Sequence, residues 1–254
     1  YKSSYPLRKE NKNDSDVLTP ILSLRFSPNK SKNNRKENKR IDVNNIYSLN
    51  RISESDSVEG GGSITYGLEY DKSNILSDKS IFSAKIANIF RFEEDHNLSK
   101  SSRIGQKTSD VVGNFNFDPN DNFKINYDFS LDENLKQSNY QLLSNQISVN
   151  NFINTFEYLN ENNTPGGESY LTNEFAYKIN NDKKLMFNTR VNKRTSVTEF
   201  YNLIYQYRND CLMAAIEYNK DYYSDGDIKP EENIFFKLTI IPFGETSSPN
   251  LKKW

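Results

Sequence analysis

From Asn122 to Asp132 apolar and polar residues change places at every step. Phe123, Ile125, Tyr127, Phe129 and Leu131 fall on one side, and Lys124, Asn126, Asp128, Ser130 and Asp132 on the other. A period of two belongs to a β-strand with one apolar and one polar face. The same rhythm recurs along the chain. Ile64, Tyr66, Leu68 and Tyr70 oppose Ser63, Thr65, Gly67 and Glu69, and Ile234, Phe236, Leu238 and Ile240 oppose Lys237 and Thr239. The pattern predicts about twelve strands. They run near 17–26, 61–70, 80–91, 110–117, 122–132, 137–149, 152–160, 169–179, 184–192, 198–208, 211–220 and 232–241. No helical period separates them.

The connections add a second regularity. Tight Asn- and Asp-rich turns fall at Asp118–Asp121, Asn150-Asn151, Asn180–Lys183 and Asn209-Asp210. These residue types tolerate turn conformations. Long polar loops fall at 27–60, 92–109, 161–168 and 221–231. In an antiparallel meander all the tight turns then lie at one end and all the long loops at the other. Short turns on one side and long loops on the other are the rule of outer-membrane β-barrels. The connections 133–136 and 193–197 are short for their end, and 71–79 is long for its end. The expected fold class is therefore all-β: an antiparallel transmembrane barrel wall of about twelve strands.

Composition fits that picture. Only 35% of the 254 residues are hydrophobic, yet there are 16 Phe and 16 Tyr. Disordered chains are poor in aromatics, whereas a barrel strand needs just one apolar face. No run reaches the roughly 20 apolar residues of a membrane helix. The net charge of −1 gives no global attraction to nucleic acid. With Tyr1 in place of an initiator Met and no signal segment, the chain reads as part of a longer protein.

Two stretches resemble the LptD family of lipopolysaccharide-assembly proteins. Asn50, Arg51, Ser53, Asp56, Glu59 and Gly61 stand where that family carries its "NRxS…D…VE.G" signature, with the strand Ile64–Tyr70 following. Asp210-Cys211 with Ala214–Tyr218, then Glu231–Leu238, resemble its penultimate hairpin and closing strand. The resemblance runs from about Leu18 to Gly244 and implies that residues 1–244 are the C-terminal part of an outer-membrane barrel, with 245–254 a tail. Because that family's barrel is larger, it also implies an open rather than closed wall, with the first and last of the twelve strands as edges. It implies insertion of lipopolysaccharide into the outer leaflet of a Gram-negative outer membrane. It also implies the lipoprotein plug LptE, periplasmic lipopolysaccharide bridge proteins and membrane lipid as partners. Lipid would leave through a weak seam, one side of which is the strand bearing Ile234, Phe236, Leu238 and Ile240. The family uses cysteines near Cys211 to tether the barrel to a periplasmic domain, so Cys211 is expected in a disulfide with a cysteine outside this chain. A small buried thiol is the simpler reading of the same residue.

Catalytic and metal chemistry find little support. His96 lacks a matching Ser, and one His with one Cys cannot build a common zinc site. Neither an enzyme nor a cofactor is expected. Lys85, Arg91, Lys124, Arg190 and Arg208 fall on the polar faces and are candidates for contact with the lumen or with lipid phosphates. The cations at the start of loop 27–60 (Lys30, Lys32, Arg35, Lys36, Lys39, Arg40) read as a solvated outer loop or as phosphate contacts. The alternative function is a passive porin-like channel, because strand pattern alone does not separate a lipid transporter from a solute pore.

Overall fold

A computed structural model describes residues 1–36, 40–51, 59–162, 167–222 and 230–241. The described residues are all-β, with one single-turn 3-10 element at Ser101–Arg103. The strands are β1 (Lys2–Ser4), β2 (Leu7–Glu10), β3 (Asp14–Ser27), β4 (Gly61–Asn74), β5 (Lys79–Arg91), β6 (Val111–Asn120), β7 (Phe123–Leu131), β8 (Ser138–Val149), β9 (Phe152–Glu161), β10 (Ser169–Lys178), β11 (Lys183–Asn192), β12 (Val197–Arg208), β13 (Leu212–Asp221) and β14 (Glu232–Ile240). The twelve strands expected from alternation are β3 to β14. Hydrogen-bonded neighbours follow the chain from β3 to β14, with β1 and β2 both on the free side of β3. Among the described residues no ladder joins β14 to the first strands. Among the described residues no helix is long and apolar enough to cross a membrane, a fact that says nothing about crossing by strands.

One expectation needs correction. The strand at 17–26 is not an edge, because β1 pairs with Ile21–Ser23 and β2 with Ser15–Leu18. The segment Lys2–Glu10 shows no alternation and is exposed throughout, so periodicity could not reveal it. The ladder breaks between β1 and β2 at Tyr5-Pro6, opposite Pro20. Pro20 has no N–H to give, and its carbonyl accepts a bond from the Tyr5 N–H at 3.1 Å.

The connection expected at 71–79 is also tighter than alternation predicts. β4 continues to Asn74 and β5 starts at Lys79, so only 75–78 turns. The Asn74 side chain accepts the Leu76 and Ser77 N–H groups at 2.9 and 3.1 Å, and Asp78 takes a positive φ of 51°. Asn150 does the same in the β8–β9 turn, at φ 51°. Asn and Asp are the non-glycine residues that tolerate this region best.

The chain divides into two compact units. One comprises Tyr1–Asn145 with Tyr158–Ser169, the other Gln146–Glu157 with Tyr170–Trp254. In the first, register partners place Leu22, Tyr66 and Asn88 in one row and Leu68 and Ile86 in the next, with Phe115 opposite Tyr127. Partners opposite each other share a face. Leu22, Leu24, Tyr66, Leu68, Ile86 and Phe115 are all exposed on this apolar face. An apolar surface of this extent is disfavoured in water and suits hydrocarbon. Asn88 is the polar exception. It receives the Tyr66 hydroxyl at 3.1 Å and donates to the Ser109 carbonyl at 2.8 Å, so it satisfies backbone where the β5–β6 ladder stops.

The opposite face of β3–β6 is covered rather than open. Ile41 and Ile46 of loop 28–60 and Leu98 and Ile104 of loop 92–110 pack with Ala87, Ile89 and Val112 into one buried cluster. Burying each such aliphatic side chain contributes roughly 1.5–3 kcal/mol. Gly67 lets the loop approach. A Cβ there would lie 2.0 Å from the Tyr47 hydroxyl.

In the second unit the apolar row Phe187–Leu203–Tyr218–Ile234 runs across four strands, as does Leu185–Tyr205–Ile216–Phe236. Leu203, Tyr205 and Ile216 are exposed, and on β14 the exposure reaches 75% at Ile234 and 68% at Phe236. The other face carries a small cluster of Ala176, Met186, Ile204 and Ala215, then Asn and Glu side chains.

Candidate functional site

The signature loop returns to the sheet through a buried charge cluster. Gly61 opens β4 with φ +79°, a conformation open to glycine at little cost. Just before it, Glu59 is fully buried. Arg51 grips it with both ends of its fork, Nε to Oε2 at 2.7 Å and Nη2 to Oε1 at 2.5 Å. Arg91, from the end of β5, donates to the same carboxylate and to the Gly60 carbonyl, the latter at 2.6 Å. Arg25, from the end of β3, lies 3.6 Å from Glu59 Oε1 and donates to the Leu49 carbonyl at 2.7 Å. Arg51 also donates to Ser63 at 2.9 Å and to Thr65 at 3.3 Å. Three guanidinium groups thus converge on one carboxylate. Bidentate charge-assisted bonds of this kind are strong and directional. They fix the loop to the polar face of β3, β4 and β5.

A second ring of contacts steadies the cluster. Ser31 donates to Asp95 at 2.5 Å and accepts the Gly60 N–H at 2.8 Å. The Ile41 N–H donates to Ser102 at 3.1 Å. Lys2 lies 4.6 Å from the centre of the Tyr47 ring. Burial, with the Glu69 charge second, pushes the Tyr47 hydroxyl up to about 12, and that hydroxyl has no hydrogen-bond partner among the described residues. Further along, burial pushes Asp110 above the ordinary carboxylate range, against the bonds that Asn139 and Ser130 donate to it at 2.8 and 2.9 Å.

Several expected site residues fall elsewhere than sequence suggested. Arg91 does not line an open lumen. It is 1% exposed and committed to Glu59. Loop 27–60 is not simply solvated, because it carries Ile41, Ile46, Arg51 and Glu59 into the interior. Ser53 and Asp56 lie outside the described residues, as does Lys39. Asn50 precedes Arg51 and its carbonyl accepts the Ser48 hydroxyl at 3.5 Å. Lys85 lines a cavity of about 570 Å³ with Glu69, Asp71, Lys79 and Asp118. Lys124 pairs with Asp118 at 3.5 Å. Arg190 pairs with Glu199 at 2.7 Å and lies over the Tyr170 ring. Arg208 closes β12 opposite Met213 and is exposed. Cys211 is exposed and unbonded in this chain, in the turn between β12 and β13. Ile234, Phe236, Leu238 and Ile240 all point to the apolar side of β14, where they are exposed.

Sequence reasoning did not single out Arg25, Ser31 or Asp95. Arg25 was findable: its parity in β3 sets it opposite Leu24 and Phe26, on the polar face. Ser31 and Asp95 sit in loops without period, and only tertiary contact reveals them. The second unit holds another unforeseen pair. Lys237 of β14 bonds Glu217 of β13, which also accepts from Asn202 at 2.7 Å and from Asn219 at 3.1 Å. They border a cavity of about 470 Å³ with Glu174 and Asn188.

An exposed apolar sheet face, backed in the first unit by a polar face that ion-paired loops cover, is compatible with the wall of an outer-membrane β-barrel. The chain belongs to the LptD family. The family model described as LPS transport system D matches residues 2–191. Its role is accordingly in lipopolysaccharide transport and outer-membrane assembly, and the family is one of transport components of the Gram-negative outer membrane. No curated protein matches the chain.

Proposed function

We propose that this chain forms the closing part of an outer-membrane translocon that inserts lipopolysaccharide into the outer leaflet, with β14 as one side of the lateral exit. The observation that carries this reading is β14 itself. Ile234, Phe236, Leu238 and Ile240 make its outward face continuously apolar, with exposure of 75% at Ile234 and 68% at Phe236. Such a face suits a strand that borders an exit to lipid. The loop-filled polar face of the first unit argues against a permanently open solute pore there. In this reading LptE and the periplasmic bridge proteins act on the same assembly, and Cys211 is tethered to a cysteine outside this chain.

The test is photo-crosslinking in cells with the full-length protein. A photoreactive residue at Phe236 should capture lipopolysaccharide in transit far more than one at Tyr127, which faces lipid away from the seam. Equal capture at the two positions, together with steady ion conductance of the purified protein in planar bilayers, would favour the passive channel instead.

A further inference from the structure

We infer that loops 28–60 and 92–110 of the first unit build a pocket for a phosphoryl-bearing anion. It lies at the end of the strands opposite the short turns. The cavity is about 310 Å³ and is walled by Arg35 from one loop and by Asp95, His96, Lys100, Arg103 and Gln106 from the other. That volume is at the lower bound of small-ligand sites and is ample for a phosphoryl group with part of the sugar that carries it.

Three cations face this space, and two are uncommitted. The side chains of Arg35 and Lys100 are exposed and meet no carboxylate among the described residues. Arg103 pairs with Glu133 at 2.9 Å and donates through Nε to Gln106 at 2.6 Å. Those two contacts hold its planar fork in one orientation, the preparation that suits guanidinium to phosphate. Among the described residues Asp95 is the one carboxylate in the wall, and its charge is already countered. It accepts from Ser31 at 2.5 Å and from the Asn97 N–H at 3.0 Å, and Arg91 lies 4.0 Å away.

The backbone gives an independent indication. Ser102 and Arg103, neither a glycine, take consecutive positive φ values of 54° and 52°. Strain of this kind persists only where the surroundings impose it, and it gathers at ligand clamps. Here the Ser102 hydroxyl accepts the Ile41 N–H at 3.1 Å, and its carbonyl accepts the Asp110 N–H at 3.0 Å. The result is to turn Arg103 toward the pocket. Two loops far apart in sequence are locked together so that their cations converge.

The phosphoryl group could come from the lipid that the protein handles or from a free phosphate. The lipid source rests on the lipopolysaccharide reading, whereas the anion class does not. The experiment uses the full-length protein reconstituted in vesicles with its plug partner, with a photoreactive residue at His96. Three probes are lipopolysaccharide, the same lipid after enzymatic dephosphorylation, and inorganic pyrophosphate measured by calorimetry. The Arg35→Gln/Lys100→Gln double variant removes two exposed side chains, and its unheated gel mobility checks that the barrel has folded. Wild type should crosslink phosphorylated lipid about tenfold more than dephosphorylated lipid, and the double variant should lose that preference. Pyrophosphate binding that vanishes in the double variant, without lipid capture, supports the anion site and assigns it a free-phosphate source. If neither probe distinguishes wild type from the double variant, the proposal is overturned. Failure of the lipid-exit reading would appear instead at Phe236 and would leave pyrophosphate binding intact.

Discussion

At the scale of single residues, Glu59 carries more than any other side chain. Its carboxylate is the shared counter-charge of Arg25, Arg51 and Arg91, all drawn out of water by the fold of loop 28–60. Removing one partner of a buried pair leaves the rest uncompensated and costs roughly 3–5 kcal/mol. Here three guanidiniums lose their common counter-charge together. Glu59→Gln should therefore weaken the folded barrel by at least that amount, whereas Glu133→Gln, which breaks a partly exposed pair with Arg103, should cost about 1 kcal/mol or less. Urea unfolding in detergent, followed by the mobility difference between unheated and heated samples, measures both. Equal midpoints for the two variants would mean that the loop does not depend on this cluster.

At the scale of the element, each strand is defined by what its two faces touch. β7 is the clearest case. Tyr127 and Phe129 stack with Phe115 of β6 on the apolar side, with ring centres 6.5 and 5.6 Å away. On the polar side Asn126 accepts from Asn114 at 2.9 Å and donates to Asp128 at 2.7 Å. A charge on the lipid side near the bilayer midplane costs roughly 2–4 kcal/mol. Tyr127→Lys should sharply reduce the amount of folded protein in the outer membrane, while Asn126→Lys, one residue along, should leave it nearly unchanged. Quantitative blotting of heat-modifiable protein in membrane fractions checks the pair. Similar losses would reverse the assignment of faces. The alternation that identified β3 to β14 is legible because membrane and interior demand opposite chemistry on successive residues. β1 and β2 were not legible because both their faces are exposed, and an exposed strand needs no pattern.

At the scale of the whole molecule, the antiparallel order sorts the connections. Turns 11–13, 75–78, 121–122, 150–151, 179–182 and 209–211 share one end of the strands, and the long loops 28–60 and 92–110 share the other. In a Gram-negative outer membrane the short-turn end is the periplasmic one. Cys211 lies at that end and is exposed, so the proposed reading sets it in a compartment that favours disulfides. In the exported full-length protein it should be bonded to a cysteine outside this chain. Non-reducing gels of wild type and Cys211→Ser should then differ in mobility. Identical mobility, with the thiol of wild type still open to alkylation, would leave Cys211 as a structural residue only.

The sequence by itself determined strands β3 to β14, their faces and the family, because these depend on local alternation and on ordered short motifs. The signature residues Arg51 and Glu59 were also visible, but as a motif without a reason. Tertiary structure supplied the reason. It brought Arg25 and Arg91 from two strand ends onto Glu59 and sank loop 28–60 into the polar face. It also covered the free side of β3 with a segment that has no pattern of its own. The seating of loop 28–60 rests on contacts between distant residues, such as Ser31 with Asp95, 64 positions apart, and Ile41 with Ser102, 61 apart. Loop residues carry no period that announces such partners, so only the folded chain could bring them together.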